Sequence, residues 1–321
     1  MTYYQFSLNW LVGIEGDVWT KLTNDNQLDI LGDPNNFKLQ LDFNNSRNGY
    51  VRLSNLPPIK YIVDIIYQSS IMMSTRDNNL LIFSPEYPNG LIFDEIIDSF
   101  ALQHGSIGGM VYLSANRDLK FFEYRMEDRS ELTTDSFKWS QVVRTDIKSI
   151  HPMRLSPMSP TEGILDSVFV IHNDGTNEVF SLINERLIDI KKSEGPEEVT
   201  KVHLNCVIRP NSILHMILMN RGMNSQKFLQ SNEGFNGGQF KDITIINSGS
   251  MTDQLVALSN NQILLGDKVM VNYVDKFIEL LKGERKGLYI TGIDQKTYHA
   301  MLGNPRTGNL SIKDLEIPLV L

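Results

Sequence analysis

IMMSTRDNNLLIFS, residues 71 to 84, and VFVIHNDGTNEVFS, residues 168 to 181, align without a gap. Each is an apolar run, a polar turn and a second apolar run. Asp77 and Asp174 hold the same place in the turn, and Phe83-Ser84 and Phe180-Ser181 the same place at the end. A third segment, MVYLSANRDLKFFEY (110 to 124), follows the plan with Asp118 in a turn that reads as shorter by one or two residues. The runs are too short for most helices, and their β-branched and aromatic residues suit a pleated, half-buried surface. Aspartate suits the turn because its carboxylate bonds local backbone N–H groups and it tolerates left-handed conformations.

Weaker copies extend the pattern in both directions. They turn near Glu15-Gly16, Ser46, Gly222, Asn260 and Asp294, so turn centres fall near 15, 46, 77, 116, 174, 222, 260 and 294. The mean spacing of about 40 residues is that of a four-stranded propeller blade, a sheet that buries its faces only by stacking against neighbours. The expected fold is therefore all-β: a single β-propeller over residues 1–321, with about seven irregular four-stranded blades, six to eight being compatible with the spacing. Both ends, YYQFSLNWLV (3 to 12) and IKDLEIPLVL (312 to 321), read as strands, and the expectation is that they complete one blade together. Two stretches break the rhythm. HPMRLSPMSPTEG, residues 151 to 163, has three prolines and reads as an irregular exposed insertion loop. In VMVNYVDKFIELLKGERK, residues 269 to 286, Val274, Phe277, Ile278 and Leu281 follow a helical period, and the competing reading is an outer strand with a basic turn.

The three best hairpins resemble the central hairpin of a WD40-type blade, which ends its second strand in Trp-Asp. Here the dipeptide is Phe83-Ser84, Phe122-Glu123 or Phe180-Ser181, so the aromatic is kept and the acid mostly is not. The Gly-His dipeptide of that family is absent from the expected upstream positions. The resemblance implies a divergent WD40-like propeller. It also gives Asp77, Asp118, Asp174 and Asp294 a structural place in the blade turns, since a residue recurring with the fold unit serves that unit.

Composition removes several functions. One cysteine, Cys206, excludes an intrachain disulfide framework and every multi-cysteine metal site. The net charge of −8 disfavours broad nucleic-acid binding. No apolar run approaches the roughly 20 residues of a membrane span, and the first residues lack the pattern of a secretory signal. The setting expected is intracellular, cytoplasm or nucleus.

No catalytic motif is readable. There is no HExxH, P-loop, GxGxxG or GxSxG, and Gly105-Ser106-Ile107-Gly108-Gly109 reads as a turn leading into a strand at Met110. The six histidines are dispersed, and Cys206, in LNCVI, reads as a buried thiol without a base nearby in sequence. Three tryptophans are too few for one sugar site per blade. No cofactor, metal or small-molecule ligand is expected. Two surface features suit interaction: Ser156-Pro157 and Ser159-Pro160 beside Arg154, a candidate phosphorylation loop, and the basic cluster Lys282, Arg285 and Lys286. The reading is a non-catalytic scaffold or adaptor subunit of an intracellular multiprotein complex. The alternatives are a propeller enzyme with an acid/base site at its channel, or a carbohydrate-binding propeller.

Overall fold

The computed structural model describes residues 3–7, 10–13, 18–21, 40–47, 50–54, 58–66, 70–84, 87–104, 107–125, 140–156, 165–183, 186–203, 205–220, 226–234, 240–247, 253–265, 268–278, 287–304 and 309–314. These form seven antiparallel sheets and no helix among the described residues. The first contains β1 (Tyr3–Ser7), β2 (Trp10–Gly13), β3 (Val18–Lys21), β4 (Gln40–Arg47) and β5 (Tyr50–Ser54), ordered β1-β2-β3-β5-β4. The other six are four-stranded meanders in chain order. The second is β6 (Ile59–Ile66), β7 (Ser70–Thr75), β8 (Leu80–Ser84) and β9 (Tyr87–Phe93). The third is β10 (Ile96–His104), β11 (Ile107–Ser114), β12 (Leu119–Arg125) and β13 (Gln141–Arg144). The fourth is β14 (Ile147–Met153), β15 (Ser167–His172), β16 (Asn177–Ile183) and β17 (Arg186–Lys192). The fifth is β18 (Lys201–His203), β19 (Cys206–Ile208), β20 (Ser212–Asn220) and β21 (Gln226–Gly234). The sixth is β22 (Asp242–Asn247), β23 (Asp253–Ser259), β24 (Gln262–Leu265) and β25 (Lys268–Asn272). The seventh is β26 (Val274–Ile278), β27 (Gly287–Gly292), β28 (Thr297–Asn304) and β29 (Asn309–Asp314).

This is a β-propeller of seven blades. The first strands of successive sheets touch, β6 with β10, β10 with β14, β14 with β18 and β18 with β22. In the fourth sheet burial falls toward the outermost strand: every residue of β16 is buried, whereas β17 mixes exposed and half-buried residues. The eight hairpins reduce to seven sheets because those near residues 15 and 46 share the first one. The hairpin near 222 joins β20 to β21 and is an outer one, unlike those of the second, third, fourth, sixth and seventh sheets.

Four expectations need correction. Among the described residues no sheet combines strands from both ends of the chain: β1 pairs with β2, and β29 with β28. All five described strands of the first sheet come from the N-terminal segment, and residues 315 to 321 of the expected closing strand lie outside the described residues. The proline-rich loop begins later than residue 151, because His151, Pro152 and Met153 belong to β14. Pro152 is tolerated there because β14 is an edge strand of its sheet. Val274 to Ile278 is strand β26 rather than helix, following β25 across Tyr273 at φ 65°. That left-handed residue cuts the apolar run in two, which a helical period cannot register. Finally, Gly108 and Gly109 lie inside β11, where a Cβ on Gly109 would collide with the Phe121 ring. The absent side chain makes room for the ring.

Candidate functional site

The central turns of the second, third, fourth and seventh sheets share one backbone plan. Asn78, Arg117, Gly175 and Gln295 donate their N–H to Thr75, Ser114, His172 and Gly292, each three residues earlier. All four donors have positive φ, at 62°, 65°, 84° and 62°. This is a β-turn followed by a left-handed residue, a common hairpin connection. Asp77, Asp174 and Asp294 stand immediately before the left-handed residue. Asp118 stands immediately after it, and Asn116 takes the place that the other three aspartates hold, so the third turn is equal in length to the others.

The last N–H of the turn is satisfied in two ways. In the fourth and seventh sheets a carboxylate accepts it: Thr176 N–H donates to Asp174 Oδ1 at 2.8 Å, and Lys296 N–H to Asp294 Oδ1 at 3.1 Å. In the second and third the hydroxyl closing the preceding strand accepts it, from Asn79 N–H to Thr75 Oγ1 at 3.1 Å and from Asp118 N–H to Ser114 Oγ at 3.3 Å. The Thr176 hydroxyl and N–H hold the Asp174 carboxyl below the usual aspartate pKa. The Tyr298 hydroxyl, donating at 2.6 Å, and the Lys296 N–H do the same for Asp294.

Turns of this kind also stitch several sheets to the next. The carbonyl of the left-handed residue accepts from the first strand of the following sheet, Ile96 N–H to Asn78 O and Ile147 N–H to Arg117 O, both at 2.9 Å. In return Ala115 donates to Glu95 O at 2.8 Å and Asn173 to Asp146 O at 3.1 Å. Glu95 and Asp146 are themselves left-handed, each at φ 62°. Between the sixth and seventh sheets the pair is Val274 N–H to Asn261 O and Ile293 N–H to Tyr273 O, both at 2.9 Å. One face of the propeller is thus a framework of turns and junctions fixed by backbone bonds.

On that face, at the junction of the sixth and seventh sheets, lies a groove of about 380 Å³ lined by Val271, Tyr273, Val274, Ile293, Asp294 and Tyr298, among others. Its walls are mostly apolar. Tyr273 is 71% exposed, the most exposed large apolar residue on the described surface, and Ile293 beside it is 51% exposed. A bulky side chain at φ 65° is rare and stores strain, and here the reciprocal junction bonds hold it. Gly292 lets the polar end of the groove close up, since a Cβ there would stand 2.5 Å from Asp294 Oδ1 and 3.0 Å from Tyr298 Cε2. The groove therefore offers an apolar recess, one projecting aromatic and one ionised carboxylate.

The remaining sequence candidates are scattered. Ser156 N–H is bound by Asp166 Oδ2 at 2.8 Å, and Leu155 N–H by Asp166 Oδ1 at 2.8 Å, so this buried carboxylate anchors the start of the proline-rich segment. Arg154 is half-buried beside it, whereas Ser159, Lys282, Arg285 and Lys286 lie outside the described residues. Cys206 is buried, and the register Cys206↔His215 brings its Sγ to 3.1 Å from His215 Nδ1. The nearby imidazole was invisible in sequence because β19 and β20 carry it across a hairpin. Among the described residues no group of three or more His, Cys, Asp or Glu side chains is placed to hold a metal. Sequence reasoning also missed Tyr273, whose only sequence signal is its place between two strand-like runs that also fit a helical period.

No protein-family profile matches the sequence, and no curated protein is similar to it. Similar solved structures include BBS1N in complex with ARL6DN, at 13% identity and TM-score 0.46, covering 80% of this chain and 81% of that one. The WD40 repeats of RRP9 match at 9% identity and TM-score 0.42, covering 79% of each chain. A chain of the yeast Nup82-Nup159-Nup116 nucleoporin complex matches at 10% identity and TM-score 0.41, covering 84% of this chain and 87% of that one. The fold assignment rests on the seven sheets themselves.

Proposed function

We infer that the chain is a non-catalytic protein-interaction subunit that docks a partner on the turn face of its propeller, within an intracellular multiprotein complex. The observation that carries this reading is the pairing of Tyr273 with Ile293. Two large apolar side chains project from a rigid backbone junction beside a groove of about 380 Å³. Affinity concentrates in a few aromatic or arginine anchors seated in well-packed pockets, and tyrosine is among the most frequent of them. The partner that fits presents an aliphatic or aromatic side chain to the recess, with a hydrogen-bond donor or cation opposite Asp294.

Affinity purification with mass spectrometry from the native host tests this. The wild-type chain is expected to recover a stoichiometric complex. Ile293→Asp is expected to lose it while keeping its thermal midpoint, because Ile293 is already half exposed. Equal recovery by both chains would overturn the reading.

A further inference from the structure

The outermost strand of each propeller sheet presents unpaired backbone groups, and such edges are ordinarily blunted by short length, charge or bulges. Five outermost ladders here carry a register shift: β8–β9 at Ile82/Ser84, β12–β13 at Leu119/Lys120, β16–β17 at Val179/Phe180, β24–β25 at Ile263/Leu264 and β28–β29 at Leu302/Asn304. The β20–β21 ladder runs through nine pairs, from Ser212↔Gly234 to Asn220↔Gln226, with no shift. At nine residues β21 is also longer than its counterparts, which have four to eight. Among the described residues no strand pairs with its outer edge.

The direction of the edge groups follows from the neighbouring bonds. Met216 donates its N–H to Asn205 O and Leu218 to Leu155 O, both at 2.8 Å, so even-numbered residues of β20 point their backbone away from β21. Antiparallel pairing alternates, and these residues face Gln230 and Phe228. The N–H and C=O groups of Phe228, Gln230 and Asn232 therefore point outward from the sheet.

We propose that β21 pairs antiparallel with β21 of a second copy of this chain, about a two-fold axis at Gln230. That register maps the outward set onto itself: Gln230 meets Gln230 and Phe228 meets Asn232, each pair exchanging two backbone bonds. It also sets Lys227 of one copy opposite Glu233 of the other at both ends, and these are the only charged residues in QKFLQSNEG. Opposite charges directly across a ladder stabilise the pairing. Leu229, 36% exposed, lies on the same face as the exposed Met219 and is set diagonally across the axis from its own copy. The Gln230 side chain takes no part in the edge, since Lys191 of the fourth sheet donates to its Oε1.

Sedimentation of the full chain over a concentration series tests the proposal. The wild type is expected to pass from monomer to dimer with a dissociation constant on the order of 10 μM, the weak end expected of a small edge contact. Gln230→Pro removes an outward N–H and leaves the β20 ladder bonds alone, and it is expected to abolish the dimer. Lys227→Glu sets like charges at both ends and should weaken association about ten-fold. Adding Glu233→Lys to it should restore wild-type association, which also guards against a folding defect in the proline variant. A mass that stays monomeric up to about 200 μM overturns the proposal; this is also the result expected if the edge serves a strand from a different protein. A charge-swapped double variant no tighter than Lys227→Glu overturns it as well.

Discussion

Glu178 shows how strongly single residues bind this propeller together. Its side chain is 1% exposed, yet it keeps its charge because two cations reach it from different elements. Lys192 Nζ of β17 lies 2.9 Å from Oε1, and Arg144 Nε of β13, in the preceding sheet, lies 2.8 Å from Oε2. Arg144 also stacks 5.0 Å from the centre of the Phe180 ring and pairs with Asp189 at 3.1 Å. Burial pushes the Glu178 carboxyl up, but Lys192 and Arg144 together outweigh burial and hold it below the ordinary glutamate value. A lowered carboxyl contributes stability that is complete above its unfolded pKa and is lost as pH falls through its folded one. Glu178→Gln is accordingly expected to cost roughly 1–3 kcal/mol near neutral pH and to flatten the acid limb of the stability curve. Urea midpoints from neutral pH into the acid range test both. A variant as stable as wild type, or an unchanged acid limb, would count against the ion network. Asp174 and Asp294 are lowered in the same direction by turn hydrogen bonds, so some acid sensitivity survives the substitution.

At the scale of elements, the repeating unit was legible because hairpins announce themselves locally. The apolar–polar–apolar pattern over residues 71–84 and 168–181 marks the central strands of the second and fourth sheets. Its spacing led to seven sheets. What was not legible is set by backbone dihedrals and long-range register. Asp118 was aligned with the turn aspartates by residue type, although its N–H, bound by Ser114, places it after the left-handed residue. Tyr273 looked like part of a helical period because nothing in its identity predicts φ 65°. His215 and Cys206 meet only through a hairpin register. The candidate groove depends on both kinds of information, through Tyr273 and the junction of the sixth and seventh sheets, so little of it was readable beforehand. The left-handed position itself is testable in the fourth sheet. Gly175 sits at φ 84°, and a Cβ there would meet Pro196 Cβ at 3.1 Å. Gly175→Ala is expected to destabilise by about 1–2 kcal/mol from the left-handed penalty. Gly195→Ala, with nothing within 4 Å of the new atom, serves as the near-neutral comparison. Equal denaturation midpoints for the two variants would reject the strained-turn account.

At the scale of the molecule the described core falls into clusters of uneven size. One cluster joins the second, third and fourth sheets, from Leu80 through Phe100 and Val111 to Phe180. A second joins the fourth and fifth through Met153, Phe169, Val207 and Met216, and a third joins the sixth and seventh through Val256, Val271, Phe277 and Ile290. Between the fifth and sixth sheets the described core narrows to Ile208, Ile243 and Ala257, with Phe240 packed against them. An ion pair from Lys201 to Asp242 at 3.2 Å accompanies it. The paired junction bonds found between the third and fourth sheets are not among the described bonds at this seam. Cooperative units separate where few buried contacts cross, so the propeller should yield first here. Ile243→Ala opens a cavity at the narrowest point and is expected to cost about 2–4 kcal/mol. The loss should also be directional. Amides of Val256, Leu258 and Ile290 should exchange hydrogen well before those of Val168, Val170 and Leu182, whereas in the wild type the two sets should exchange together. Hydrogen exchange with residue-level readout distinguishes the outcomes. A variant in which all these amides accelerate in parallel would mean that the seam transmits stability as well as the other interfaces do, and that the seven sheets unfold as one unit.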